Sequence, residues 1–247
     1  GGNVFHRDYL DNAARIEAAN DLTIKSGKDI NNIGGVLKSG GDMTLDADRD
    51  VNITSVQDRS TNARGGSYLN QTITQHGAEV TSGRDLSISA DRDVAVVASR
   101  LDAKRDIGLS SGNDIVITSA ANESDYVSRS KKRANETHSI TQQSSVLNAG
   151  RDIALNAGND LGIIASRIKA TEDVSLDAVQ DITVASAKDE SSSYYYMKKK
   201  GSFGRSKTTE RESYESDNVA SVIEAGHDLT VNTTKDAVAA IRALKRK

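Results

Sequence analysis

An aspartate followed by an apolar residue, a polar or small one and a second apolar residue recurs along this chain at Asp21, Asp29, Asp42 and Asp50. It recurs again at Asp85, Asp93, Asp106 and Asp114, at Asp152, Asp160, Asp173 and Asp181, and at Asp228 and Asp236. Within each of the three quartets the steps are 8, 13 and 8 residues. The residue directly after the aspartate is Leu22, Ile30, Met43, Val51, Leu86, Val94, Ile107, Ile115, Ile153, Leu161, Val174, Ile182 or Leu229, with Ala237 the small exception. Two places further on the side chain is again large and apolar, except at Asn32 and Ala239. Period-two alternation of this kind is the signature of a short strand with one buried face.

The longer step hides a third strand. Five residues before the aspartate that ends it stand Leu37, Val80, Leu101, Leu147, Ile168 and Ile223. One cycle is therefore three short strands in 21 residues, with no segment long enough for a helical crossover. A constant cycle of three strands and three corners predicts an all-β chain wound as a parallel β-helix, in which each coil buries its apolar face only against its neighbours. Seven such cycles stacked about 4.8 Å apart give a rod core of about 34 Å. The absence of proline fits, because proline cannot donate to a β-ladder and is kept out of central strands. Gly27, Gly40, Gly83, Gly112, Gly150, Gly158 and Gly226 stand two places before a repeat aspartate. Gly-x-Asp is accordingly read as a corner in which glycine takes positive φ and the aspartate bonds its own turn, assigning a structural corner role to Asp21, Asp29, Asp42, Asp50, Asp85, Asp93, Asp106, Asp114, Asp152, Asp160, Asp173, Asp181 and Asp228.

Three long excursions break the rhythm. Asp50 to Asp85, Asp114 to Asp152 and Asp181 to Asp228 take 35, 38 and 47 residues where 13 are expected. Each excess falls between the second and third strands of a cycle, at about residues 56–78, 120–145 and 186–220, so all three leave the rod at one corner, every second cycle. They are polar, Thr- and Gln-rich, and suit protruding β-hairpins. Hairpins about 10 Å apart are expected to pack face to face as a fin beside the rod. Six of the seven tyrosines lie in them, and the candidate contact residues are Tyr68, Tyr126, Tyr194, Tyr195, Tyr196, Phe203 and Tyr214, with Lys198, Lys199 and Lys200 as a basic tip. Aromatic rings beside cations suit a glycan, a lipid headgroup or a protein surface. The last residues, 237–247, shift to Ala, Leu, Lys and Arg and read as a frayed helix or tail. Residues 1–247 otherwise form a single β-helical stalk, with the repeats at about 13–236.

The exclusions are broad. A net charge of −3 gives no reason to expect nucleic acid. Without cysteine there is no disulfide framework, thiolate nucleophile or zinc-thiolate site, and the four histidines lie far apart, so no metal and no cofactor is expected. Calcium rolls need a nine-residue period with several glycines per turn, which the steps of 8 and 13 do not supply. Acid pairs such as Asp46, Asp48 and Asp50, or Asp91 and Asp93, could serve a polysaccharide-active β-helix enzyme, yet each repeats the corner phrase. No catalytic residue is assigned.

The phrases Ala149-Gly150-Arg151-Asp152-Ile153-Ala154-Leu155-Asn156-Ala157-Gly158-Asn159-Asp160 and Ser82-Gly83-Arg84-Asp85-Leu86-Ser87-Ile88-Ser89-Ala90 resemble the haemagglutinin repeats of filamentous haemagglutinin and of contact-dependent growth inhibition exoproteins. The long polar insertion after each quartet is similar to the more distal repeat region of those proteins. The resemblance implies a right-handed β-helical filament on a Gram-negative cell surface, secreted through an outer-membrane partner, probing a target-cell envelope and delivering a C-terminal toxin. A filamentous adhesin binding host cells or biofilm matrix is the alternative. Nothing implies an enzyme in this segment, and a monomeric filament segment is expected.

Overall fold

The computed structural model describes residues 2–8, 12–201 and 205–235, and the tail expected at residues 237–247, like Asp236, lies outside them. The described residues are all-β, with three parallel sheets and one antiparallel sheet. The first parallel sheet stacks Leu22–Ser26, Met43–Ala47, Leu86–Ala90, Ile107–Ser111, Ile153–Ala157, Val174–Ala178 and Leu229–Thr233. The second runs from Ile30–Ile33 to Ile182–Ala185, and the third from Arg15–Ala18 to Val222–Ala225. Every parallel pair places the same repeat position on itself, as in Leu86 on Met43 and on Ile107, or Leu109 on Ile88 and on Leu155. The chain is a parallel β-helix.

That register follows from the alternation. Residues one and three places after the aspartate point inward, and a slip of one residue would turn every apolar side chain to solvent. Leu45, Val51, Ile53, Val80, Leu101, Leu109, Ile115, Ile117, Leu147, Leu155 and Leu176 are fully enclosed. Ile16, in a seventh third-sheet strand that the six-fold count passed over, is exposed, as Leu229 is at the other end, because each lies in a coil stacked on one side only. Asn32 ends an inward column of Ile and Val, and its side-chain amide nitrogen is buried without a partner.

The corners differ from the expectation in two respects. None of the glycines before the aspartates has positive φ. What most of them need is room: a Cβ on Gly83 would stand 2.1 Å from the carbonyl oxygen of Gly40, and one on Gly150 would stand 2.1 Å from that of Lys104. Positive φ is concentrated instead at the third corner, at Gly34, Ala98 and Ala165, in the coils that turn directly from the second sheet to the third. The aspartates, moreover, reach along the rod rather than into their own turn. The amide of Asp42 donates to the carboxylate of Asp21 at 2.8 Å, and the same contact links Asp85 to Asp42, Asp106 to Asp85, Asp152 to Asp106, Asp173 to Asp152 and Asp228 to Asp173. A second ladder runs through Asp29, Asp50, Asp93, Asp114, Asp160 and Asp181.

At seven of the upper aspartates the residue before them completes the grip. Arg49 donates to Asp29, Arg84 to Asp42, Arg92 to Asp50, Arg105 to Asp85 and Arg151 to Asp106, while Asn113 and Asn159 do the same for Asp93 and Asp114. An Arg-Asp or Asn-Asp pair in one coil thus clamps the carboxylate of the coil below. The Arg49, Arg92 and Arg105 guanidiniums hold the Asp29, Asp50 and Asp85 carboxyls below the usual carboxylate range. A group depressed in the folded state contributes stability that is present above its unfolded value, about 3.8, and is lost as pH falls through the folded value. The melting temperature of the chain should therefore hold level from neutral pH down to about 5 and drop below about 4. Arg92→Gln should reduce that acid-induced drop, and an acid limb of the same size in the variant would contradict the ladder. The arginines are about half exposed while the Asp50 carboxylate is mostly enclosed, so one pair has a modest effect.

Candidate functional site

The three excursions are hairpins: Val56–Arg64 with Tyr68–His76, Ala120–Arg129 with Arg133–Gln143, and Ala187–Lys200 with Ser206–Val219. They leave at Ser55, Ser119 and Ser186, the positions that correspond to Gly34, Ala98 and Ala165 in the alternate coils. They do not pack face to face. Tyr68–His76 pairs along its edge with Ala120–Arg129, and Arg133–Gln143 with Ala187–Lys200, both antiparallel. With Asn3–Arg7 on the edge of Val56–Arg64, the result is one seven-stranded antiparallel sheet. The reason is a match of spacings. Two coils rise about 9.6 Å, and a two-stranded hairpin is as wide as two strand separations of about 4.8 Å, so hairpins issued every second coil tile edge to edge without gaps.

A polar clasp at the base fixes this arrangement. Ser55 Oγ donates to Gln75 Oε1 at 2.7 Å, Gln75 donates its backbone amide to Asn122 Oδ1 at 2.6 Å and its side-chain amide to the Ala121 carbonyl at 3.0 Å. One hairpin later the same contacts recur among Ser119, Gln142, Asp189 and Lys188. Beside it, Ser99, Ser145, Ser166 and Ser221 form a buried column at the third corner. Ser145 Oγ donates to Val96 and Thr118 carbonyls and accepts from the Ser99 amide, and Ser221 repeats this with Ile163, Ala185 and Ser166. The sequence reading missed both groups. The signal was present: these serines stand seven places before the aspartates, and Gln75 and Gln142 ten places before Asp85 and Asp152.

Of the candidate contact residues, the sheet separates what sequence proximity had joined. The register puts Tyr68, Tyr126 and Tyr195 on one face and Tyr194, Tyr196 and Tyr214 on the other. Tyr68 and Tyr126 meet edge-on, ring centroids 5.9 Å apart and planes at 90°. On the opposite face the Tyr194 hydroxyl donates to Glu210 at 2.8 Å, which raises its pKa, and Arg129 grips Glu136 through two nitrogens, lowering that carboxyl. Lys198, Lys199 and Lys200 are exposed at the outer end of the longest hairpin, and Phe203 lies outside the described residues. His76 and His138 are bound across strands to Asp58 and Asp125.

The acid pairs on the rod are not poised as proton donors. Asp46 is held low by the Ser89 hydroxyl and then Lys25, so, like Asp50, it is suited to accept hydrogen bonds and not to donate a proton. Among the described residues no group of three or more His, Asp or Glu side chains is placed to hold a metal ion.

A parallel β-helical rod that issues a hairpin every second coil and knits the hairpins into a lateral sheet defines a structural repeat module of a filament. The chain belongs to the Hemagglutinin repeat family, which matches residues 6–68, 67–134 and 126–239. The first two matches meet in the first hairpin turn, and the second and third overlap around the second turn, so the family unit is a return strand, two coils and an outgoing strand. The chain is similar to a tRNA nuclease CdiA of Escherichia coli (strain STEC_O31), with 32% identity over 206 residues covering 76% of this chain and 6% of that protein. No solved structure matches it. The family and this relative make the chain a segment of a secreted, cell-surface exoprotein, in a repeat class that is structural and adhesin-like.

Proposed function

We propose that this chain is a stalk segment whose rod sets distance and whose lateral sheet makes the contact with a target-cell envelope, in a parent exoprotein that passes through an outer-membrane secretion partner and delivers a C-terminal toxin into the neighbouring cell. The observation that carries the reading is the division of labour in the fold. The inward side chains and the aspartate ladders are committed to stacking, whereas the hairpin strands put no side chain into the rod's core cluster and recur at a fixed place beside it. Specificity therefore has to come from what breaks the repeat. The relative's name, a nuclease, supports toxin delivery over simple adhesion to host cells or biofilm matrix.

The test is to shorten residues 190–216 to a tight turn in the parent exoprotein. None of the repeat aspartates or inward positions is touched, and the hairpin pairs on one side only, with Arg133–Gln143. The variant should still be exported and should display a folded rod, but lose most target-cell engagement or toxin delivery in co-culture. Full delivery would show that the sheet is passive decoration. Loss of delivery into target cells with attachment to host cells or matrix retained would favour separate contact sites.

A further inference from the structure

The outer corner of the lateral sheet gathers charge from two hairpins. Residues 131–135 and 197–209 contain Lys131, Lys132, Arg133, Lys198, Lys199, Lys200, Arg205 and Lys207 and no acidic residue. Strand pairing brings the two groups together, since Arg133 lies opposite Met197 and the Lys198 amide donates to the Lys132 carbonyl at 2.8 Å. All eight cations are exposed. The chain carries a net charge of −3, so everything outside this corner sums to −11 and the molecule is strongly polarised toward its tip.

A second observation concerns pairing. Lys199 stands directly opposite Lys207 in the register of the hairpin. Like charges facing each other across an antiparallel pair are destabilising. Arg129, one strand pair inward from Arg133, grips Glu136, and Arg92 and Arg105 on the rod grip Asp50 and Asp85, yet among the described residues none of the eight tip cations has a carboxylate within ion-pair distance. A repulsive pair left without a counter-charge at the extremity of a long, well-paired hairpin is relieved by an anion from outside.

We propose that this tip docks the chain on a phosphate-bearing lipid surface; the proposal rests on the reading of the lateral sheet as the contact surface and deepens it. Six of the eight cations are lysines, compact hydrated charges that attract phosphates as points, where recognition of one phosphate or base edge favours the fork of arginine. The tip is an edge and not a groove, so it lacks the channel in which a nucleic-acid strand is held. Clusters of four to eight Lys or Arg attract anionic leaflets. Tyr195 and Tyr196, three and two places before Lys198, point to opposite faces of the sheet, so that an aromatic ring flanks the cations on either side, a composition suited to the headgroup region.

The test is cosedimentation of the 247-residue chain with vesicles of phosphatidylcholine alone or mixed with phosphatidylglycerol, at low and high salt. Binding should require the anionic lipid and vanish at high salt. Replacing Lys198, Lys199 and Lys200 together by Ala should weaken partition about 100-fold, while replacing Lys38 and Lys169, on the outer face of the third parallel sheet, with Lys104 at the corner that follows it, removes the same number of lysines and should change it little. Equal binding to both vesicles, or equal loss in the two variants, would overturn the proposal. So would tighter retention of duplex DNA or heparin than of anionic vesicles. If vesicle binding fails while the parent shortened at residues 190–216 still loses delivery, the lipid assignment falls and the contact reading stands.

Discussion

Leu109→Asp is expected to abolish cooperative folding of the chain or lower its stability by more than about 4 kcal/mol, a size reserved for buried charge and similar core damage. Leu109 has no solvent exposure and lies between Ile88 and Leu155 in the first parallel sheet, both also buried. An aspartate there has no cation or donor within the apolar column, so it must either lose its charge or open the stack. Because each coil buries its face only against the next, the damage should spread to the coils above and below instead of staying local. Ser110→Asp, the next residue and outward-facing, is the matched control and should change stability by less than about 0.5 kcal/mol. Thermal unfolding followed by far-ultraviolet dichroism decides the point, and similar melting temperatures for the two variants would invert the assigned strand phase.

Replacing residues 120–143 by a direct turn, like that of the alternate coils, is expected to leave the rod folded while collapsing the lateral sheet on both sides. The middle hairpin pairs six residues with Tyr68–Ile73 and eight with Glu190–Met197. Without it the first and third hairpins are held by the rod two strand spacings, about 10 Å, apart and cannot close on each other. Isolated two-stranded hairpins are marginal in water, and the first keeps only the five-residue edge strand Asn3–Arg7 on its far side, so amide protection at Leu69, Ile73 and Tyr194 should fall at least about 100-fold while that at Leu109 and Leu155 is unchanged. Shortening residues 190–216 alone should leave the protection at Leu69 and Ile73 intact. Unchanged protection in the outer hairpins of the first variant would mean that each stands on its own and that the sheet is not a continuous unit.

How far the sequence could be read depends on which neighbour each residue answers to. The strands, their inward faces and the place where the hairpins leave were legible because stacking puts the same position of each coil on itself, so the requirement is written again at every cycle. Leu109 announces its burial through Leu45, Ile88 and Leu155. The insertions stood out as breaks in that rhythm. The tyrosines gave less: Tyr194, Tyr195 and Tyr196 are consecutive, and consecutive residues of a strand face opposite ways, so a cluster in sequence became two faces in space.

The sequence by itself determined the all-β coil, its three strands, its register and the corner from which the excursions depart, since all of these are set by alternation and by a constant period. Only the tertiary structure decided the partners across coils. The aspartate of one coil is held by the amide and the arginine of the coil above, a relation between residues 20 or more apart that local turn chemistry does not contain. The corner glycines answer to a carbonyl of another coil and not to their own φ. The hairpins join edge to edge because the width of a two-stranded ribbon equals the rise of two coils, an equality that exists only once both are built. That same equality sets the lysines of the third hairpin against the turn of the second, where their charge adds.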